Sequence, residues 1–382
     1  MNVISNSSPL QNGQTEITTP FNPSDVDMTT RHHTVDLLMN RIRRQEIDLQ
    51  PSFQRKTGIW DVTQKSSLIE SLLLRIPIPA FYIAADTKDD WIIVDGQQRL
   101  HTLYNFIHKQ AFVLSNLEFL NHFNAMGFSQ LPRNMQRRIL ETEFVIHAIE
   151  PGTPKEVTYT IFKRINTSGL PLSAQEIRHA LYQGASVEFL KKLADSKPFK
   201  RATNNDIIDD RMTDHECILR YLAFVMKPIE RYDKLRDMNA FLSQTMVHLN
   251  QASPELFEKL QRDFYKSMTA ARKIFDKQAF RKRYKKRQYR TLPINRGLFE
   301  TWSVELSKCN HKQIETLFKH RAVIKERFIQ LMAGNYLPTG VGKKEKFTFE
   351  QSISEHTFNN DRVSFRFKVI RGFISEILKE FS

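Results

Sequence analysis

Asp95-Gly96-Gln97-Gln98-Arg99 is the stretch whose residue types and order are best suited to chemistry. It follows the apolar run at Ile92–Val94 and precedes Leu100, Leu103, Tyr104 and Ile107, which are spaced as on one helical face. A strand, a glycine turn and a helix start are therefore expected here. Amides at a helix start and the helix dipole favour an anion, and Arg99 can offer phosphate a bidentate fork. Two adjacent glutamines need partners if they are buried. The same five residues would serve equally as a helix cap with Arg99 on a solvated face.

Three other clusters carry polar groups in patterned positions. Gln54 and Arg55 leave the turn Gln50-Pro51-Ser52-Phe53 and could meet the same pocket, or could lie on a surface turn over a buried Phe53. Asn166 and Thr167 close a helix just before Gly169, either as a simple C-terminal cap or as a further site wall. The run from Arg281 to Arg290 holds seven basic residues in ten, with Tyr284 and Tyr289 among them. Cations there could neutralise phosphates while tyrosines stack on bases, which makes Arg281, Lys282, Arg283, Lys285, Lys286 and Arg287 candidate DNA contacts. The alternative is a solvated basic helix face.

The elements that must position these residues follow from periodicity. Val35, Leu38, Met39 and Ile42 mark a helix with Thr34 or Asp36 near its start, and Asp61 opens a second that ends at Ile76-Pro77-Ile78-Pro79. Strands are expected at 80–85, 91–95 and 145–150, with helices after Gly96, over 154–169 and from the Ser173–Glu176 capping box to Leu181. From about Ser186 helical patterns dominate. We read residues 1–27 as a disordered tail, 28–193 as a mixed α/β domain, 194–213 as a linker and 214–382 as an α-helical domain. The fold class is thus α+β.

Composition narrows the functional classes. The chain has 382 residues and a formal net charge of +15, which favours a polyanionic partner such as nucleic acid. Two cysteines, Cys217 and Cys309, without a CxxC pair argue against a disulfide scaffold or a cysteine zinc site. No stretch reads as a membrane helix or secretory signal, so a cytoplasmic protein without membrane contact is expected. His32, His33, His101, His108 and the Cys309-Asn310-His311 triplet lack the layout of a metal nuclease site.

P-x-F-Q-R, then L-I-E-S-x-L with I-P-I-P, then V-D-G-Q-Q-R, then F-x-R-I-N-T-x-G-x-P-L-S-x-x-E-I-R form an ordered series over about residues 30–185. The series resembles the N-terminal domain of GmrSD-type modification-dependent restriction systems, within the ParB/sulfiredoxin-like superfamily. The likeness continues more loosely through RMTDHECILRYLAF (211–224) and INRGLFETWSVEL (294–306). It implies a ParB-like N-terminal domain with a nucleotide pocket. Gln54 and Arg55 match one box, Gly96 and Arg99 a second, and Asn166 and Thr167 would add a wall. It further implies nucleoside triphosphate hydrolysis controlling a nuclease that acts on modified phage DNA. With Mg2+ as cofactor, Asp95 would orient the metal or a water and Gln97 or Gln98 the attacking water, Arg99 completing the catalytic set.

No HNH or PD-(D/E)xK nuclease pattern accompanies the series, so a separate nuclease subunit is expected, and a homo-oligomer is a further partner. Two alternatives stand beside hydrolysis: a non-hydrolysing, nucleotide-gated DNA-binding regulator, and a ParB-like DNA nickase.

Overall fold

The structure, a computed structural model, describes residues 22–47, 60–86, 90–165, 172–207, 211–227, 229, 232, 237–284, 292–341 and 346–381. The chain forms two compact units, one over 21–181 with 210–212 and one over 182–209 with 213–382.

The first unit is mixed α and β. Its elements are β1 (Met28–Thr34), α1 (Val35–Arg43), α2 (Val62–Leu73), β2 (Phe81–Ala85), β3 (Trp91–Asp95), α3 (Gln97–Ile107), α4 (Arg133–Leu140), β4 (Glu143–Ile149), α5 (Lys155–Ile165) and α6 (Ala174–Leu181). The four strands lie in the order β1-β4-β2-β3, with β4 and β2 parallel and the two outer pairs antiparallel. Local signals start the helices where expected. Thr34 Oγ1 accepts the amide of Leu37 at α1, and Asp61 and Gln64 exchange a reciprocal pair of bonds at α2. Val35, Leu38, Met39, Leu72, Phe81, Ile93, Leu103 and Phe106 meet in one apolar core between sheet and helices. Each such side chain contributes roughly 1.5–3 kcal/mol by leaving water.

Strand β1 differs from expectation, because the helix-like spacing begins only at Val35. Residues 28–34 pair along their whole length with β4, Met28 opposite Ile149 and Thr34 opposite Glu143. Asp27 is held as well, its amide donating to Thr153 Oγ1 at 3.0 Å. Pro23–Asp25 form a 3-10 turn capped by Asn22, and residues 1–21 of the expected tail lie outside the described residues.

The second unit is helical: α7 (Ala185–Ala194), α8 (Lys197–Thr203), α9 (Thr213–Met226), α10 (Met238–Asn250), α11 (Pro254–Phe275), α12 (Arg296–Lys308), α13 (His311–Lys319), α14 (Arg321–Met332), α15 (Phe349–Ser352) and α16 (Asn360–Glu380). The expected linker at 194–213 does not match this arrangement. Ser196 caps α8, whose Phe199, Ala202 and Thr203 are buried, so residues 196–203 are part of the helical core. The units divide near Leu181 and Tyr182, and α7, expected in the first domain, packs on α9 and α10. No helix of the described residues is long and apolar enough to cross a membrane.

Candidate functional site: the glycine turn between β3 and α3

β3 ends at Asp95, and Gly96 turns the chain into α3 with φ of 102°. That left-handed conformation favours glycine. The available space also demands glycine: a Cβ here would collide with the Phe81 ring and lie 3.1 Å from Arg99 Nη2. The residue at the cap position of α3, Gly96, has no side chain to offer the first-turn amides, which have no acceptor within the helix itself. Gln97 and Gln98 are half-buried.

Arg99 is buried, and its guanidinium is engaged within the protein. Nη1 donates to the Pro79 carbonyl, and Nη2 donates to the Ala80 carbonyl at 3.2 Å and to Asp95 Oδ2 at 2.9 Å. The group also lies 4.3 Å from the Phe81 ring centroid, a cation–π contact. Burial lowers its pKa, and the Asp95 charge and hydrogen bond oppose that shift. The I-P-I-P run and the D-G-Q-Q-R run are therefore two halves of one arrangement. Pro79 and Ala80 present carbonyls that Arg99 ties to the turn, so it positions Asp95. These three bonds take three of the five guanidinium N–H groups. The Asp95 side chain stays 35% exposed.

The sheet extends the site with residues not singled out from sequence. Tyr82 lies opposite Asp95, His147 opposite Tyr82, and Thr30 opposite His147, forming one polar row across four strands. The Tyr82 and His147 rings are 5.0 Å apart, and Thr30 Oγ1 is 3.0 Å from His147 Nδ1. Residue types gave no hint of this row, because it depends on strand order.

Glu70 of the L-I-E-S stretch has a structural role. Its carboxylate accepts the amides of Glu118, Phe119 and Leu120 at 3.0, 2.8 and 2.8 Å. Burial pushes its pKa up, but these three amides outweigh that and hold it below the usual value. Glu70 thus ties α2 to the 118–120 loop. Ser173 and Glu176 form the expected box at α6.

Gln54, Arg55, Asn166 and Thr167 lie outside the described residues. Among the described residues, no cluster of three or more His, Cys, Asp or Glu could hold a metal.

The structure places residues 281–283 of the basic stretch differently from a solvated face. Arg281 is 2% exposed and lies in an extended bridge with Ile294, not a helix. Its guanidinium donates to the carbonyls of Lys277, Leu292 and Thr203 and to Asp206 Oδ2 at 2.6 Å. Lys282 donates to Glu350 at 2.7 Å and to Ser354 at 2.5 Å. Arg283 has a buried Nη1 without an acceptor among the described residues, and burial lowers its pKa. Lys285, Lys286 and Arg287 lie outside the described residues.

Residues 35–183 match the family model of the GmrSD restriction endonuclease, N-terminal domain. That segment belongs to the GmrSD N-terminal family. The match begins at α1, includes the Gly96 turn and runs just past α6. A GmrSD N-terminal domain implies a role related to restriction or defence. No curated protein matches the chain.

Proposed function

We propose that the GmrSD-type domain binds a nucleoside triphosphate at the Gly96 turn, hydrolyses it, and thereby controls cleavage of phage or modified DNA by a separate nuclease subunit. The observation that carries this reading is the turn itself. A strand ends in a partly exposed carboxylate, a left-handed glycine packed against the Phe81 ring turns the chain, and a helix start whose cap residue has no side chain follows. Such a helix start attracts phosphate through its amides and dipole. Tyr82 and His147 supply ring faces next to Asp95 on which a base could rest.

Mg2+ fits this donor set in its usual mode, one carboxylate plus substrate phosphates, with Asp95 as the protein ligand. It would supply neutralisation of charge on the phosphates. Gln97 and Gln98 orient the attacking water, and Arg99 fixes the Asp95 carboxylate. Gln54, Arg55, Asn166 and Thr167 complete the nucleotide site in this reading, and the compartment is the cytoplasm.

DNA contact rests on the net charge of +15. Arg281 and Lys282 are engaged internally, so the contact in the basic stretch passes to Arg283, Lys285, Lys286 and Arg287. The internal engagement of Arg99 favours one second reading, a nucleotide-gated DNA-binding switch without turnover, because it leaves fewer charges for the transition state. Release of phosphate from labelled ATP, GTP and CTP, with and without DNA, separates the two. Turnover supports hydrolysis; tight binding without turnover supports the switch.

A further inference from the structure

The two looser sequence stretches, 211–224 and 294–306, meet in the helical unit. Glu216 and Arg220 stand one turn apart on α9, Arg296 and Glu300 on α12, and Arg366 on α16. Arg220 donates through Nε and Nη2 to Glu216 Oε1 at 2.9 and 2.8 Å, and through Nη1 to Glu300 Oε2 at 3.1 Å. Arg366 reaches Glu300 Oε1 from Nε at 2.7 Å and again from Nη2, while its Nη1 donates to the carbonyls of Ser352 and Thr357. Glu300 and Arg366 are fully buried.

A cavity of about 200 Å3 lies beside this network, lined by Arg220, Arg296, Arg366, Asn295, Thr357 and Phe358, among others. The guanidiniums of Arg220, Arg296 and Arg366 gather around the carboxylates of Glu216 and Glu300. Asp214, in the first turn of α9, pairs with His215 at 2.8 Å. Arg296 is the least committed cation. Its Nη1 is 3.6 Å from Glu216 Oε1, beyond hydrogen-bond distance, and its side chain is 47% exposed.

Buried ion pairs stabilise a fold poorly compared with apolar packing, so their presence here calls for another role. An arginine wall held rigid by carboxylates, with one arginine able to turn inward, suits a planar or tetrahedral oxyanion. Among the described residues, three arginines and no carboxylate line the cavity, which favours an anion over a neutral ligand, and the Phe358 ring, 5.1 Å from the Arg220 guanidinium, offers an apolar face for what the phosphate carries.

We propose that this cavity is a second phosphate-binding site, built by the helical unit alone and independent of the Gly96 turn. The phosphate could come from inorganic phosphate or from a nucleoside monophosphate.

The test is a methyl NMR titration of the full chain labelled at isoleucine, because Ile294 and Ile353 line the cavity. At constant ionic strength, inorganic phosphate should shift both methyls saturably. Arg296→Gln should weaken that binding at least tenfold, and Arg296→Lys, which keeps the charge but not the fork, should fall between. Tighter binding of a nucleoside monophosphate at the same two methyls would identify a phosphate ester as the ligand, and equal or weaker binding would identify the free anion. Absence of saturable shifts at Ile294 and Ile353 in the wild type, or unchanged affinity in Arg296→Gln, would overturn the site. A phosphate bound only at the Gly96 turn leaves both methyls unmoved.

Discussion

Asp95 and Arg99, four residues apart across the start of α3, are joined at 2.9 Å, and the same guanidinium bonds the carbonyls of Pro79 and Ala80. The ion pair locks the end of β3, the proline run and the first helical turn into one unit. Arg99→Ala should therefore lower the melting temperature by several degrees, since it removes three partly buried hydrogen bonds and leaves Asp95 unpaired, at a cost of about 1–3 kcal/mol. Thermal unfolding followed by circular dichroism checks this. An unchanged melting temperature would mean that Arg99 does not hold the turn.

Gly96→Ala should destabilise the protein by about 1–3 kcal/mol, from the left-handed backbone together with the collision with Phe81. Phe81→Leu in the same chain should recover part of the loss if the ring is the obstacle. Urea titration of the two variants and their combination measures the coupling.

Glu70 sets an acid limit on stability. Its folded-state pKa is below the ordinary value, so between the two values the unfolded chain binds more protons and stability falls with falling pH. The contribution is complete above the unfolded pKa of about 4.3 and is lost as pH drops through the lower folded value. Glu70→Gln should destabilise the protein at neutral pH by about 1–3 kcal/mol and flatten the pH dependence in that acid window. Urea midpoints from pH 3 to 7 would show a parallel curve if Glu70 carried no such linkage.

Arg281→Gln should cost about 3–5 kcal/mol by leaving Asp206 and three carbonyls without their donor, yet leave the salt dependence of DNA binding unchanged. Removing a true phosphate contact would flatten the slope of log affinity against log salt by about 0.9. Fluorescence anisotropy across a salt series distinguishes the two roles.

Much of the first unit was legible because its signals are local. Thr34, the Asp61–Gln64 box and the Ser173–Glu176 box lie next to the helices they start, and Gly96 sits between a strand pattern and a helix pattern. What escaped depends on distant partners. β1 is defined by pairing with β4, Met28 against Ile149, and no window around residue 28 contains that information. The row of Asp95, Tyr82, His147 and Thr30 exists only once the strand order is known. Arg281 reads as a DNA contact among its basic neighbours, whereas its acceptors Thr203 and Asp206 lie more than seventy residues away. The stretch 194–213 has a linker's polarity, but Phe199 and Ala202 face the helical core.

Single-turnover release of labelled phosphate tests nucleoside triphosphate hydrolysis at the Gly96 turn most directly. It is measured on the wild type, Asp95→Ala and Gln97→Ala, alongside equilibrium nucleotide binding. The expected result is turnover by the wild type and a loss of at least about a hundredfold in both variants, with nucleotide affinity changed less than about tenfold, as for groups that act mainly in the transition state. Wild-type turnover that both variants retain, or nucleotide binding with no release at all, would contradict hydrolysis at this turn.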